Sequence, residues 1–385
     1  MKKWTKQEDK KLKELATSQT ITEIATELKL SYHQVRTRLL RLGISPYKPQ
    51  VSIETTQQKQ ESQSYKRKYE DAVSRITQLE KDLENSIGIK KLNFETYKIK
   101  PSLIKGQSES TAVVLLSDWH IDEIVKPQSV NFLNKFDDAI ADARIKSTFQ
   151  TIVKFCKLHQ KETHIDTLVM ALLGDFISGG IHDELKEGNV ILPIEAIWRV
   201  QNHIASGIKH ILENTEFNLV IPCSVGNHSR ITEKQRVSTE QGQSLEWLMY
   251  KNLEQYFIGN KRVRFVINEG YHTYLNVYDY TLRFHHGHAI RYGGGVGGIY
   301  IPVKKAIAQW NKGKHADLDC FGHYHQLKND GQFISNGSLI GWNAFANRIK
   351  ADFETPRQAF FLINKEKKRF VTVVRPIILN GERSM

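Results

Sequence analysis

Short apolar runs and longer amphipathic segments alternate along residues 106–385 of the chain. The apolar runs have the length of buried strands and lie at 111–116, 167–173, 218–225, 280–284 and 318–321. The segments 137–158 and 194–213 have the pattern of helices instead. Strand-like runs that end in polar turns and alternate with helices predict a mixed α/β domain built of layers.

The first 45 residues have a different pattern, which predicts three short helices. Thr5 can cap the first helix, with Glu8 completing a capping box. Positions 21–30 form a second amphipathic segment, and Ser31 can cap a third helix. We therefore expect a separate small helical domain over 1–45.

The pattern over 46–105 predicts a linker followed by a short coiled coil. Pro46, Pro49 and a stretch rich in Gln, Ser and Thr argue against packed structure at the start of this range. Apolar residues then alternate at spacings of four and three: Tyr65, Tyr69, Ala72, Ile76, Leu79 and Leu83. Such heptads predict a coiled coil, which would make the protein a homodimer through 65–83. A single helix packed on the next domain is the alternative.

Composition adds a strong positive charge to this picture. The chain of 385 residues has a net charge of +13 and a pI of about 9.4. Its first fifty residues hold eleven Lys or Arg against five Asp or Glu. This balance favours a polyanionic partner, with nucleic acid ahead of an anionic membrane, although a soluble protein that is merely basic fits it as well.

Cysteine usage and hydropathy indicate the compartment. Cys156, Cys223 and Cys320 lie in or beside apolar stretches far apart in the sequence, which favours buried free thiols over disulfides or a cysteine zinc site. The N-terminus lacks the apolar core of a signal peptide, and no run approaches the roughly 20 apolar residues of a membrane span. We expect a cytoplasmic protein without membrane contact.

Each of the five apolar runs ends in residues that can bind a metal ion. In chain order these ends are Asp118 with His120, Gly174-Asp175, Gly226-Asn227-His228, His285-His286-Gly287-His288 and Gly322-His323-Tyr324-His325. One such end alone is a weak signal, since an isolated Asp-x-His is usually polar surface and a lone Gly-Asp is usually a turn. Five in succession at strand ends favour one shared metal site, where sites in α/β sheets commonly lie.

The order Asp-x-His, Gly-Asp, Gly-Asn-His, a His-containing turn and Gly-His-x-His resembles the calcineurin-like metallophosphoesterase superfamily over residues 111–380. The resemblance implies a four-layer fold, in which two packed mixed β-sheets are flanked by helices. It also implies two divalent cations that share Asp175. The first would take Asp118, His120, Asp175 and His325. The second would take Asp175, Asn227, His286 and His323, with His286 chosen because the family's His directly precedes Gly.

The resemblance also implies the chemistry. Mixed carboxylate, amide and imidazole ligands suit Mn²⁺ best, with Fe or Zn²⁺ as alternatives. Two such ions bridged by Asp175 can hold a hydroxide that attacks the phosphorus. His228 would protonate the leaving oxygen or stabilise the transition state. The family's carboxylate after this His is replaced by Ser229, so Asp122 and Asp183 are the candidates to orient the imidazole.

The N-terminal segment resembles a Myb/SANT-like helix-turn-helix domain. The resemblance rests on Trp4-Thr5-Lys6-Gln7-Glu8-Asp9, Ile24-Ala25, Val35-Arg36-Thr37-Arg38 and Leu42-Gly43-Ile44. It implies that the last helix enters the DNA major groove and offers four side chains to phosphates or base edges, namely Gln34, Arg36, Arg38 and Arg41. A protein-binding helical domain with a solvated basic face is the alternative.

The sequence reduces the number of possible substrate classes but does not identify a single substrate. The phosphate-gripping Arg residues of Ser/Thr protein phosphatases are missing near the second and third motifs. The organisation is more similar to the nuclease subunit of the double-strand-break repair complex and its phage and bacterial relatives. We therefore expect a metal-dependent DNA exo- or endonuclease. The alternatives are a phosphodiesterase or phosphomonoesterase acting on small or nucleotide substrates, and a DNA-bound regulatory protein with a dormant metal centre.

Overall fold

The computed structural model describes residues 4–48, 67–78 without 69 and 76, 96–101, 108–366 without 182, 237 and 293–296, and 371–379. The chain divides into two compact units, Met1–Asn93 and Phe94–Met385.

The first unit contains three helices around a small core. The helices are α1 (Lys6–Leu15), α2 (Ile21–Glu27) and α3 (Tyr32–Arg41). Each follows a Ser or Thr side chain that accepts a hydrogen bond from the backbone three residues on: Thr5 from Glu8, Thr20 from Glu23 and Ser31 from Gln34. Their apolar faces enclose a core of Leu12, Ala16, Ile24, Ala25, Val35 and Leu39. The three helices predicted from the sequence are present.

The predicted coiled coil lies mostly outside the described residues. Within 65–83, the described positions are 67, 68, 70–75, 77 and 78, and all are helical and exposed. Of the six heptad residues only Ala72 is among them. The homodimer through this helix therefore stays a prediction.

The second unit contains twelve described strands and six described α-helices. The strands are β1 (Tyr97–Ile99), β2 (Ser110–Leu116), β3 (Thr167–Leu172), β4 (Asn218–Cys223), β5 (Val263–Ile267), β6 (Thr273–Val277), β7 (Tyr280–Phe284), β8 (Leu318–Phe321), β9 (Lys328–Asn329), β10 (Phe333–Ser335), β11 (Arg357–Asn364) and β12 (Val371–Ile378). The helices are α4 (Asp138–His159), α5 (Asp183–Gly188), α6 (Pro193–Asn214), α7 (Leu245–Tyr256), α8 (Tyr300–Trp310) and α9 (Ala344–Arg348). The five strands and two helices predicted from the pattern are all present.

The strands form two six-stranded sheets. The first has the order β1-β6-β7-β8-β10-β9 and the second the order β12-β11-β2-β3-β4-β5. Both are mixed, because β2 to β5 run parallel while β11 runs antiparallel to β2, and β7, β8 and β10 run parallel while β6 runs antiparallel to β7. β1 pairs with β6, so this unit begins before residue 106, within the range predicted as linker.

The alternation of side chains along β2 shows how the layers stack. Val113 and Leu115 enter a core shared with strands of the other sheet, including Phe284 of β7. Ala112, Val114 and Leu116 point the opposite way, into a core shared with α4, α6 and α7. On the outer face of the first sheet, α8 packs against Phe321 and Phe333. The predicted fold class of two packed mixed sheets flanked by helices is confirmed.

Cysteine placement and helix hydropathy were also predicted. Cys156, Cys223 and Cys320 are buried and free. Among the helices that the structure describes, none combines the length and the apolar character needed to cross a bilayer.

Candidate metal centre

The parallel strands bring the predicted site residues to one edge of each sheet, because their carboxyl ends lie together. Two clusters of possible metal ligands result. Asp118, His120 and His325 form one, and Asp175, His286 and His323 form the other. Within each cluster, one ligand atom from every residue lies within 4.8 Å of the others. These six residues are six of the seven ligands that the motifs predict.

A ring nitrogen and an amide oxygen of the predicted ligands lie buried without a hydrogen-bond partner among the described residues. His286 Nδ1 lies 2.7 Å from the carbonyl oxygen of Leu173, which turns Nε2 toward Asp175 Oδ2 at 2.8 Å. The buried atoms His120 Nε2 and Asn227 Oδ1 make no hydrogen bond within the described part of the chain. Buried polar atoms are rarely left unpaired, so two of them beside these clusters fit a site that binds cations. The seventh predicted ligand, Asn227, thus fits the centre as well.

The backbone at this edge is unusual. Five predicted ligands have left-handed φ angles between +48° and +71°: Asp118, His120, Asp175, His323 and His325. A non-glycine residue in that region costs about 1–3 kcal/mol, and such residues gather at functional sites. The turns that follow β2, β3 and β8 therefore store strain in order to aim side chains at one point.

The glycines of the motifs are required because two turns of the backbone approach each other closely. A Cβ at Gly226 would lie 2.1 Å from Asp175 Oδ1 and 2.3 Å from Asp175 N. A Cβ at Gly174 would lie 2.2 Å from Gly226 N, and Gly174 also has a φ of +83°. The Gly-Asp and Gly-Asn-His turns cross each other here with no room for a side chain.

Burial controls the charge of the candidate ligands. Burial lowers the pKa of His120 and His323 well below the ordinary value, and that of His325 to about 3, so these rings are neutral and carry a free lone pair. Burial raises the pKa of Asp118 to about 7. A neutral imidazole is the form in which a histidine binds a metal ion, whereas Asp118 binds one as the carboxylate, so metal binding would release its proton.

His286 and Asp175 form the strongest electrostatic pair of the site. Burial would lower the pKa of His286, but the Asp175 carboxylate outweighs it and raises the pKa to about 10. Burial would equally raise the pKa of Asp175, but His286 and the neighbouring His228 hold it well below the ordinary value. Asp175 is therefore a buried anion whose charge a cation can balance in place of the imidazole proton.

His228 stands beside the clusters with one ring nitrogen held by the protein. Its Nδ1 lies 3.0 Å from the carbonyl oxygen of Ser178, and its backbone N–H donates to Asp175 Oδ1 over 2.9 Å. Its Nε2 faces the site, 3.9 Å from Asp175 Oδ2. The Ser178 carbonyl thus contacts the imidazole where a carboxylate was expected.

The two carboxylates proposed for that role lie elsewhere. Asp122 accepts hydrogen bonds from the backbone N–H of Ser178 at 2.6 Å and of Gly179 at 2.9 Å, so it fixes the loop and not the His228 ring. Asp183 lies on α5 with an exposed side chain that pairs with Lys186 at 2.9 Å.

Of the three histidines after β7, only His286 belongs to the second cluster. His285 is buried under the site, where its Nε2 lies 3.3 Å from Asp319 Oδ1 and its ring stacks on Phe321. His288 pairs with Glu240 at 2.8 Å. The choice made from the His-Gly spacing therefore agrees with the geometry.

Glu246 of α7 was missed by the sequence analysis. Its side chain is fully buried, and its two oxygens accept hydrogen bonds from Phe176 N at 2.8 Å and Gly226 N at 2.7 Å. It therefore links the Gly-Asp turn to the Gly-Asn-His turn. The available signal was a Glu inside the apolar run Leu245–Leu248, but a Glu on an amphipathic helix is usually solvent-exposed.

Two of the four residues predicted to contact DNA also hold the first unit together. Arg38 forms a bidentate ion pair with Asp9 and lies over the Trp4 ring at 5.7 Å. Gln34 accepts hydrogen bonds from Ser31 in the capping box of α3. Arg36 and Arg41 are exposed.

Comparison with known proteins gives low overall similarity. No protein-family model and no curated protein matches the chain. Among solved structures, a 5'-nucleotidase described as putative from Staphylococcus aureus is 10% identical and has a TM-score of 0.30, with 71% of this chain and 55% of that chain covered. The sulfate thiohydrolase SoxB of Thermus thermophilus is 9% identical with a TM-score of 0.30, and 73% and 58% are covered. The calcineurin-like phosphoesterase YfkN of Bacillus subtilis is 11% identical with a TM-score of 0.24, and 70% and 91% are covered. The chain therefore spans little more than half the length of the first two.

Proposed function

We propose that the chain is a calcineurin-like phosphoesterase that uses two divalent cations to hydrolyse phosphodiesters, and that its substrate is DNA. The observation that carries the hydrolase proposal is the pair of ligand clusters together with two unpartnered ligand atoms, His120 Nε2 and Asn227 Oδ1. Their residues are those that the motif order assigns to the two cations.

The donor set fits two transition-metal ions. Asp118, His120, Asp175 and His325 would hold the first, and Asp175, Asn227, His286 and His323 would hold the second. Mixed oxygen and nitrogen donors suit Mn²⁺, with Fe and Zn²⁺ as alternatives. When bound, such a pair supplies an activated water near neutral pH and offsets the charge on the phosphoryl oxygens.

The chain's own groups supply the remaining chemistry. Asp175 belongs to the second cluster, and in this proposal its carboxylate would supply the negative charge that both cations share. His228 presents Nε2 to the site while its Nδ1–H is donated to the Ser178 carbonyl. As the imidazolium, with a second proton on Nε2, the ring would deliver that proton to the leaving oxygen and keep the Nδ1–H. Glu246 keeps the two turns that carry Asp175 and Asn227 in register.

Replacement of His228 by alanine tests the proton donor. Loss of a general acid costs roughly 100-fold when the leaving group is an alkoxide, and much less when it is a stable anion. We expect His228→Ala to slow hydrolysis of thymidylyl-thymidine roughly 100-fold, with a clearly smaller effect on bis-p-nitrophenyl phosphate. The measurement is kcat on both substrates. Exposed His315→Ala is the control, and an equal loss on both substrates would contradict the assignment.

Support for DNA comes from charge and from the first unit. The net charge is +13, and α3 presents Arg36 and Arg41 to solvent. A three-helix unit with a basic last helix suits major-groove binding, and tethering it to the hydrolase would raise the local DNA concentration. A protein partner for α3 is the competing use.

The test is a nuclease panel on the full chain with Mn²⁺, Fe²⁺ and Zn²⁺, using linear, circular, single-stranded and double-stranded DNA. Cleavage of at least one form supports the proposal. If the chain hydrolyses bis-p-nitrophenyl phosphate but leaves all DNA intact, the substrate is a small phosphodiester and not DNA. If the chain binds metal but hydrolyses no phosphoester, it is a regulatory protein with a dormant metal centre.

The exposed arginines of α3 carry a separate expectation. Removing one side chain that neutralises a phosphate lowers the slope of log affinity against log salt by about one. Arg36→Ala with Arg41→Ala should therefore weaken DNA binding and reduce that slope by about two, while turnover of bis-p-nitrophenyl phosphate is unchanged. Fluorescence anisotropy across a salt series measures this. Lys10→Ala on α1 is the matched control, and an unchanged slope would favour a protein-binding role for α3.

A further inference from the structure

Ser178 lies in the turn after β3 and contacts two histidines of the site through different atoms. Its hydroxyl Oγ lies 2.9 Å from His120 Nδ1, and its carbonyl oxygen lies 3.0 Å from His228 Nδ1. We infer that Ser178 is a positioning residue that orients the His120 ring through its side chain and the His228 ring through its backbone. The inference rests on the proposed function, which gives those two rings their roles.

The hydroxyl contact fixes which nitrogen of His120 is free. Ser178 Oγ donates its single proton to Glu123 Oε2 over 3.1 Å, since a carboxylate can only accept. The hydroxyl must then accept from His120, which places the imidazole proton on Nδ1 and a lone pair on Nε2. That nitrogen is the buried atom without a partner. A hydrogen-bond chain to the second ring nitrogen of a metal-binding His sets the tautomer and the orientation of the ring.

Glu123 is itself held in place for this contact. Its Oε1 accepts a hydrogen bond from Asn343 Nδ2 over 3.2 Å, and Asn343 also caps α9. Glu123 therefore accepts from Asn343 on one oxygen and from Ser178 on the other, which leaves the Ser178 hydroxyl to accept from His120.

The carbonyl contact depends on a different acidic residue. Asp122 receives the backbone N–H groups of Ser178 and Gly179 on its two oxygens, which fixes the peptide plane that aims the Ser178 carbonyl at His228. Asn189 Nδ2 donates to both Asp122 Oδ2 and the Gly179 carbonyl oxygen. The two neighbouring acidic residues therefore have different roles. Asp122 fixes the backbone at Ser178, and Glu123 fixes the Ser178 hydroxyl.

The two roles can be separated by substitution. Ser178→Ala removes the hydroxyl and leaves the carbonyl, so it should loosen His120 alone. Asp122→Asn replaces one acceptor by a donor facing a backbone N–H, so it should disturb the carbonyl and His228. The His120 and His228 rings lie 5.0 Å apart, so a general collapse of the site would affect both readouts together.

The first experiment measures Mn²⁺ binding to the full chain by titration calorimetry at pH 8. We expect Ser178→Ala to weaken one of two Mn²⁺ sites by about tenfold, at the lower end of the effect of losing a residue behind a ligand. Glu123→Gln should weaken the same site less, and the double variant should be no weaker than Ser178→Ala. Ser110→Ala, which removes a buried hydroxyl at the opposite end of β2, should bind as wild type.

The second experiment compares the rates on thymidylyl-thymidine and bis-p-nitrophenyl phosphate. Asp122→Asn should lower the rate on the dinucleotide about tenfold more than on the nitrophenyl ester, with both Mn²⁺ affinities retained. Ser178→Ala should leave the ratio of the two rates unchanged, because its carbonyl is intact.

The outcomes distinguish this inference from the proposed function. Wild-type Mn²⁺ affinity in both Ser178→Ala and Glu123→Gln overturns the hydroxyl role while the metal centre stands. A wild-type rate ratio in Asp122→Asn overturns the carbonyl role. Failure of the wild-type chain to bind Mn²⁺, Fe²⁺ or Zn²⁺ overturns the proposed function, and this inference with it.

Discussion

Replacement of Asp175 by alanine is expected to abolish phosphodiester hydrolysis. Asp175 is the carboxylate of the second cluster, and its Oδ2 lies 2.8 Å from His286 Nε2 and 3.9 Å from His228 Nε2. Its loss removes the charge that both cations would share and leaves the buried His286 imidazole without its carboxylate partner. Because cations lower the pKa of bound water from about 15.7 to about 7, their loss should cost at least about 10⁴-fold in rate.

The measurement combines kcat on bis-p-nitrophenyl phosphate with metal content after dialysis. Asp175→Ala should retain neither cation at the protein concentration that keeps both in wild type. Asp279→Ala removes an exposed carboxylate at the β6–β7 turn, which pairs with Lys98, and serves as the matched control. Full activity in Asp175→Ala would refute the shared-cation arrangement.

Gly226→Ala is expected to have the second largest effect although it removes no ligand. The added methyl carbon would lie 2.1 Å from Asp175 Oδ1 and 2.3 Å from Asp175 N, well inside van der Waals contact. Both contacts are with the Asp175 turn, which packs closely here, since a Cβ at Gly174 would itself lie 2.2 Å from Gly226 N. Asp175 and Asn227 must therefore shift together.

A displacement of about 1 Å at a reacting centre costs on the order of 10²-fold, so moving two ligands should cost at least about 10³-fold in kcat. Overpacking should also lower the free energy of unfolding by about 1–3 kcal/mol. Denaturant unfolding and kcat check both numbers. Gly259→Ala is the control, because its Cβ would meet nothing within 4 Å. Wild-type activity in Gly226→Ala would mean that the two turns do not cross as described.

The site residues could be predicted because their signals are local. Each strand is a short apolar run, and the glycine before Asp175 or Asn227 marks a turn with no room for a side chain. Parallel strands then place successive strand ends at one edge, so the sequence alone indicated that distant residues converge. The His-Gly pair after β7 even separated His286 from its two neighbours.

What remained hidden depends on long-range packing or on the backbone. Glu246 acts through hydrogen bonds from the backbone of Phe176 and Gly226, and the sequence around Glu246 does not predict these contacts. The Ser178 carbonyl that contacts His228 is a backbone group, which every residue type provides. Strand β1 has only three residues and pairs with a strand far along the chain, so no local pattern revealed it.

The arginines of α3 show the same limit in the first unit. From the sequence alone, Arg38 was predicted to contact DNA together with Arg36 and Arg41, because all three are basic residues of one helix. Only the folded unit shows that Arg38 meets Asp9 of α1 and the Trp4 ring, a pairing of residues far apart in sequence. A charge pattern predicts a basic surface, but it does not predict which charges are used internally.

The distribution of the candidate ligands over the strands has a consequence for biosynthesis. The first cluster joins Asp118 to His325 and the second joins Asp175 to His323, so each contains a residue from the early and from the late part of the chain. Both clusters are therefore complete only after synthesis has passed β8 and both sheets have packed. If the proposed function holds, a half-made polypeptide would lack hydrolytic activity, and that activity would appear only once folding is complete.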